Sequence, residues 1–140
     1  MSMHLSPYLN FNDTCEEAMN FYKSVLGGSL EITRFKDMPM NGVESESEGV
    51  MNSTLTTDDI TFMASDGGMG EVVMGDSVNL SLSGGLEDDA KLRGFFSGLS
   101  EGGMMTMPLS PVPWGADFGM FTDKFGIHWM FNIETAAAAA

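Results

Sequence analysis

Polar and apolar residues alternate from Leu5 to Asn12, with Leu5, Pro7, Leu9 and Phe11 on one side and Ser6, Tyr8, Asn10 and Asn12 on the other. A period of two predicts a strand with one covered face. The period then lengthens. Ala18, Phe21, Tyr22, Val25 and Leu26 recur at helical spacing behind Thr14 and Glu17, which match a capping box, and Gly27-Gly28 offers a stop. This predicts an amphipathic helix of about three turns. Three more strands are expected at Leu30–Phe35, Val50–Thr56 and Ile60–Ser65. Between the first two of these, residues 37–49 carry Pro39, Gly42 and the spaced acids Glu44, Glu46 and Glu48, and read as an acidic connector.

After the glycine-rich stretch 67–75 the same order begins again. Val78–Ser83 alternates as a strand, and Leu92, Phe95, Phe96 and Leu99 form a helical stripe closed by Gly102-Gly103. Met104–Leu109, Phe118–Thr122 and Ile127–Ile133 supply three further strands. Recurrence of strand, helix and double glycine after about 70 residues points to an internal duplication. The predicted architecture is α+β, with two βαβββ modules at about 4–66 and about 76–134 inside one domain spanning 1–140.

Strand parity also divides the sheet faces. Leu9 and Phe11, Phe62 and Ala64, Leu80 and Leu82, and Trp129 and Phe131 are the residues each helix is expected to cover. The other parity reads Ser6, Tyr8, Asn10, Thr61, Met63, Ser65, Asn79, Ser81, His128, Met130 and Asn132. A face that only meets water ordinarily carries Lys and Glu. This one is polar, nearly uncharged and dotted with Met, which suits a ligand-facing surface with adaptable walls.

Charge narrows the classes of partner. Six Lys and Arg against 20 Asp and Glu give a net charge of −14, so phosphate backbones and anionic lipid surfaces are expected to be repelled. No apolar run approaches the roughly 20 residues of a membrane span, and Met1 to Leu5 lacks a signal-peptide pattern. Cys15 is the only cysteine, so no internal disulfide forms and a cytoplasmic location is expected. Its place at a helix start favours a thiolate, but neighbouring Glu16 and Glu17 oppose one, and a structural role is expected.

Two segments carry a family resemblance. The run from Pro113-Trp114-Gly115-Ala116-Asp117-Phe118 through Phe125-Gly126-Ile127-His128-Trp129-Met130-Phe131-Asn132 resembles the C-terminal signature of PhnB-like proteins. Tyr8-Leu9-Asn10-Phe11, Glu17-Ala18, Phe21-Tyr22 and Gly27-Gly28 resemble their opening strand and helix. The resemblance implies the vicinal-oxygen-chelate superfamily, which includes glyoxalase I, bleomycin-binding proteins and extradiol dioxygenases. It implies curled mixed sheets around a pocket (the glyoxalase/bleomycin-resistance fold), often in a homodimer.

The superfamily's enzymes commonly hold a divalent metal on the opening and last strands of each module. Matched strand to strand, those positions fall on Ser6, Asn79, Met63 and Met130, poor ligands for zinc, iron or magnesium. His4 and His128 are the only histidines, so no metal and no cofactor are expected. Ser77 and Ser81 lack a nucleophile elbow, and Gly67-Gly68-Met69-Gly70 opens no predicted helix that would seat a phosphate.

The expected pocket comprises Ser6, Tyr8, Asn10, Met63, Asn79, Ser81, Trp114, Asp117, His128 and Met130, with catalytic residues unassigned. Trp114, Asp117 and Phe118 are further candidates: two tryptophans beside a glycine-rich bend suit a planar or cationic ligand with Asp117 as counter-charge, although core and turn roles also fit, Asp117 capping the turn between Gly115 and Gly119. The leading expectation is a metal-independent protein that binds or sequesters a small molecule. The alternatives are a metal-assisted lyase, isomerase or transferase on the same fold, and a structural or regulatory dimer without ligand.

Overall fold

A computed structural model describes residue 3 and residues 5–37, 48–67 and 72–135. His4, Glu44, Glu46, most of the predicted acidic connector, Gly68 to Gly70 and the terminal alanines fall outside that set. The chain divides into two compact units, Met1–Val73 and Met74–Ala140.

The first unit runs β1 (Tyr8–Phe11), α1 (Cys15–Leu26), β2 (Ser29–Arg34), a single 3-10 turn, β3 (Val50–Thr56) and β4 (Thr61–Asp66). Its sheet order is β1-β4-β3-β2, with β1 parallel to β4 and the other pairs antiparallel. The second unit repeats this as β5 (Leu80–Gly84), a 3-10 turn, α2 (Asp89–Ser100), β6 (Met104–Val112), β7 (Ala116–Thr122) and β8 (His128–Glu134). Its order is β5-β8-β7-β6, with the same parallel and antiparallel pairings. The duplicated βαβββ order read from the sequence is therefore the observed one.

The resemblance led to an expectation of curled sheets around a pocket, and here the structure differs. Both sheets are open, neither closed nor strongly curled: β1 and β2 end the first, β5 and β6 end the second, and the two end strands of a sheet do not pair. Closure demands a strand number, tilt and stagger that four strands in these registers do not supply.

In unit one, Cys15, Ala18, Met19, Tyr22 and Leu26 form the buried side of α1. The Tyr22 ring meets Phe62 edge-on at 5.7 Å. The predicted capping box is absent, since Thr14 makes no side-chain cap bond. Instead the buried Asp66 carboxylate, at the end of β4, accepts the Cys15 N–H through Oδ1 and the Val50 N–H through Oδ2, each at 2.9 Å. A long-range carboxylate thus serves a helix start, where negative charge also meets the favourable end of the helix dipole. The opposite end follows the prediction: Gly27, at φ 80°, donates its N–H to the Lys23 carbonyl at 2.8 Å.

In unit two, Leu92, Phe96 and Leu99 of α2 lie against the sheet. Phe96 meets Phe121 and Phe131 edge-on, with centroids 5.0 and 5.3 Å apart. Gly119 makes room for this ring, because a Cβ there would stand 2.8 Å from Phe96.

The second glycine of each pair plays the same part in both units. A Cβ on Gly28 would fall onto the Thr56 carbonyl oxygen, and one on Gly103 onto the Thr122 carbonyl oxygen. Thr56 and Thr122 are the last residues of β3 and β7. The next residue then organises the hairpin turn by different chemistry in each unit. Thr57 Oγ1 accepts the N–H groups of Asp59 and Ile60, whereas Asp123 Oδ1 accepts those of Phe125 and Ile127.

Candidate functional site

Residues opposite one another in a sheet share a face, so the registers show which side chains lie away from the helices. In unit one, Tyr8, Met63, Thr54 and Glu31 form one row across all four strands. Asn10 and Ser65 pair in the next row, and Thr33 pairs with Asn52. The Ser65 hydroxyl donates to Asn10 Oδ1 at 3.3 Å, and the Tyr8 hydroxyl reaches Asn52 Oδ1 at 3.4 Å. Ser6 precedes β1 on the same parity.

In unit two the corresponding row is Ser81, Met130, Met120 and Met107. The row beside it is Ser83, Asn132, Phe118 and Ser110, and on the other side lies His128, Thr122 and Met104. None of these residues carries a carboxylate, ammonium or guanidinium. His128 Nδ1 and Thr122 Oγ1 are 2.8 Å apart. Asn79 precedes β5 and is exposed. Trp114, 64% exposed, is held in place by its indole N–H, which donates to Asn132 Oδ1 at 2.7 Å, and by an edge contact with Phe118 at 6.0 Å.

The structure thus groups Tyr8, Asn10 and Met63 in one unit, and Ser81, Trp114, His128 and Met130 in the other. It sets Asp117 apart. Asp117 pairs with Ile133 on the helix-covered side, and its carboxylate accepts a hydrogen bond from Arg93 of α2 at 2.7 Å. Arg93 also grips Asp89 at 2.9 Å, so the two carboxylates raise its already high pKa further. The Asp117 contact ties α2 to β7, while Asp89, within α2, steadies the Arg93 side chain.

Met107 and Met120 join this face beyond the residues expected there: Met120 follows the plain alternation of β7 with Phe118 and Thr122, whereas Met107 does not follow that of β6. In uninterrupted alternation Met105 and Met107 would share a face, but a register shift between them places Met105 opposite Phe121 and Met107 opposite Met120. A bulge of this kind re-aims a side chain, and pattern reading has no signal for it beyond the prolines at 108 and 111.

Few other groups show altered acidity. Burial pushes the Cys15 thiol up from 9.0 to about 11, the Ser53 hydroxyl partly offsets this, and the carboxylates of Asp66 and Glu16 add to the rise. A fully buried, protonated thiol is a packing group rather than a nucleophile. Arg34 donates two bonds to the Glu16 carboxylate, at 3.0 and 2.7 Å, and holds that carboxyl below its ordinary range.

The superfamily's divalent-metal positions do not fit such an ion here. Met63 and Met130 occupy equivalent places on β4 and β8, paired with Tyr8 and Ser81. Thioethers and neutral hydroxyls are weak donors to zinc, iron or magnesium. Among the described residues no three His, Cys, Asp or Glu side chains are grouped to hold a metal.

Known proteins share this arrangement. The family described as 3-demethylubiquinone-9 3-methyltransferase matches residues 3–132. Protein YjdN of Escherichia coli is 27% identical over 140 residues, covering 94% of this chain and 95% of its own length. Among solved structures, protein PA1353 of Pseudomonas aeruginosa has 35% identity and a TM-score of 0.75, covering 95% of this chain and 98% of that one. The PhnB protein of Bacillus cereus has 27% identity and a TM-score of 0.71, covering 94% and 99%.

Proposed function

For a chain that belongs to the PhnB-like family of the vicinal-oxygen-chelate superfamily, we propose a metal-independent role in binding or sequestering a small molecule on the helix-free faces of its sheets. The observation that carries this reading is the composition of those faces. In unit two the three rows crossing the sheet hold Ser, Asn, Thr, His, Met and Phe and no formal charge, in a protein of net charge −14. Leaving such a face free of Lys and Glu is costly for solubility and useful for a neutral, partly apolar ligand. Trp114, exposed yet held by Asn132, presents an oriented aromatic surface at its border.

The site proposed in unit one is Ser6, Tyr8, Asn10 and Met63, and in unit two Asn79, Ser81, Trp114, His128 and Met130. Asp117 is omitted because Arg93 occupies its carboxylate. The family's description as a methyltransferase is not carried over. β1 leads into α1 through Asn12-Asp13-Thr14, without the glycine-rich turn that seats a nucleotide-like cofactor in a doubly wound parallel sheet. We further take the protein to be cytoplasmic and homodimeric. Among the described residues no helix is long and apolar enough to cross a membrane, and each sheet leaves two edge strands to be covered.

The test is a ligand screen by native mass spectrometry, read in parallel by Trp114 fluorescence in a Trp129→Phe background. Hits that weaken on Tyr8→Ala or Trp114→Ala support the reading. A broad screen without hits, or hits indifferent to both substitutions, would overturn it. Turnover abolished by chelation would transfer the site to the metal-assisted alternative, and a monomer mass at micromolar concentration in sedimentation would overturn the dimer.

A further inference from the structure

We propose that the helix-free face of unit two holds a soft monovalent cation, Cu(I) or its redox-silent analogue Ag(I), through the thioethers of Met107, Met120 and Met130. The inference does not rest on the small-molecule reading, although Met130 and His128 belong to both, so a cation and a small molecule would compete for this face. Met130 is the cross-strand partner of Met120, and Met120 of Met107, so the three stand side by side on β8, β7 and β6. Paired residues on one face have Cβ atoms about 5 Å apart, within the span of two flexible methionine side chains. All three side chains are part-buried, accessible to an ion yet sheltered from bulk water.

The bulge is the telling feature. With 14 methionines in the chain, two neighbours on a sheet carry little weight. The third member arrives only because the strand breaks register between Met105 and Met107. Bulges are common on edge strands such as β6 and beside functional sites, and this one turns Met107 onto the face that carries Met120 and Met130.

Ligand chemistry then selects the ion. Neutral, polarisable thioethers suit Cu(I) and Ag(I) and serve hard or borderline divalent ions poorly. His128 adds a borderline donor on the same face, in the adjacent row with Met104. When Thr122 accepts the Nδ1 proton of His128, the Nε2 lone pair is left for coordination. The protein's negative field favours any cation. Cys15, the competing soft ligand, belongs to the other unit and is fully buried with its thiol protonated.

The experiment is a chloride-free Ag(I) titration of the full chain, followed by native mass spectrometry and by the ε-methyl NMR resonances of 13C-labelled methionine. The expected result is one ion per chain, with shifts confined to Met107, Met120, Met130 and neighbouring Met104. The combined Met107→Leu, Met120→Leu and Met130→Leu variant should bind about 100-fold more weakly, and Cys15→Ala should bind as before. Anaerobic Cu(I) in competition with a chromogenic chelator should follow the same order. No binding, shifts centred on other methionines, or undiminished affinity in the triple variant would overturn the proposal. The wild-type NMR result decides it even if that variant folds poorly.

Discussion

The Trp129 indole N–H donates to Asp123 Oδ2 at 2.8 Å, inside the covered side of unit two where both residues are almost fully buried. The other carboxylate oxygen of Asp123 accepts the N–H groups of Phe125 and Ile127, at 2.8 and 3.1 Å. One buried carboxylate therefore fixes both the β7–β8 hairpin and the orientation of the largest core ring. Asp123→Asn would aim an amide donor at the indole or at a backbone N–H, and should cost about 2–3 kcal/mol in urea unfolding. Trp129→Phe removes the opposing donor, so the double variant should lose less than the sum of the two single ones. Strict additivity would contradict the coupling.

The paired glycines should resist substitution for different reasons. Gly28→Ala and Gly103→Ala push a methyl onto a strand carbonyl that cannot step aside, and each should lower stability by about 2 kcal/mol or more. At Gly27 a Cβ meets nothing within 4 Å, and only its backbone, at φ 80°, resists replacement. Its ψ of −160° puts that backbone in a region essentially restricted to glycine, so Gly27→Asn should cost about 1–3 kcal/mol from strain alone, less than Gly28→Ala, which adds a clash to a positive φ. Thermal unfolding of the three variants in parallel checks the order.

Alkaline stability should report on Cys15. Its thiol has a folded pKa of about 11 against 9.0 when unfolded, so between those values the unfolded chain loses a proton that the folded chain keeps. Stability contributed by the neutral buried thiol is therefore complete below pH 9 and declines as pH rises toward 11, by about 2–3 kcal/mol at most. Subtracting the Cys15→Ala profile isolates this from lysine and tyrosine titration. An identical slope in both proteins would refute the assignment, as would rapid alkylation of the native thiol at pH 8.

The Arg93 link between α2 and β7 should be modest and sensitive to salt. Its side chain is 38% exposed, while Asp117 is 18% exposed, so screening acts on one partner more than the other. Arg93→Met should cost about 1 kcal/mol at low ionic strength and distinctly less in molar salt. Ligand binding should be unaltered, since Asp117 faces the helix. Impaired ligand binding in this variant would return Asp117 to the site.

The fold was legible where the period of the sequence was clean. The helices at Ala18–Leu26 and Leu92–Leu99 and the strand Val50–Thr56 were found from spacing alone, and Phe62, Ala64, Trp129 and Phe131 are buried as their parity predicts. Long-range polar contacts were not legible. Thr14 and Glu17 fit a local capping pattern, yet the bond to the helix start comes from Asp66, which no window around the helix contains. Asp117 shows the same limit. Its position beside Trp114 suggested a ligand contact, and only the packing of α2 reveals Arg93 as its partner. Met107 escaped because a bulge changes facing without changing composition.

The Asp66 bond also bears on the order in which unit one assembles. Its acceptor and donor are 51 positions apart, so α1 emerges from the ribosome well before the group that satisfies its first N–H exists. Until β4 docks beside β1 and β3, the start of α1 can only fray into water. The start of α1 and the docking of β4 are therefore coupled through one carboxylate, a non-local contact that exists only once both ends of unit one are in place.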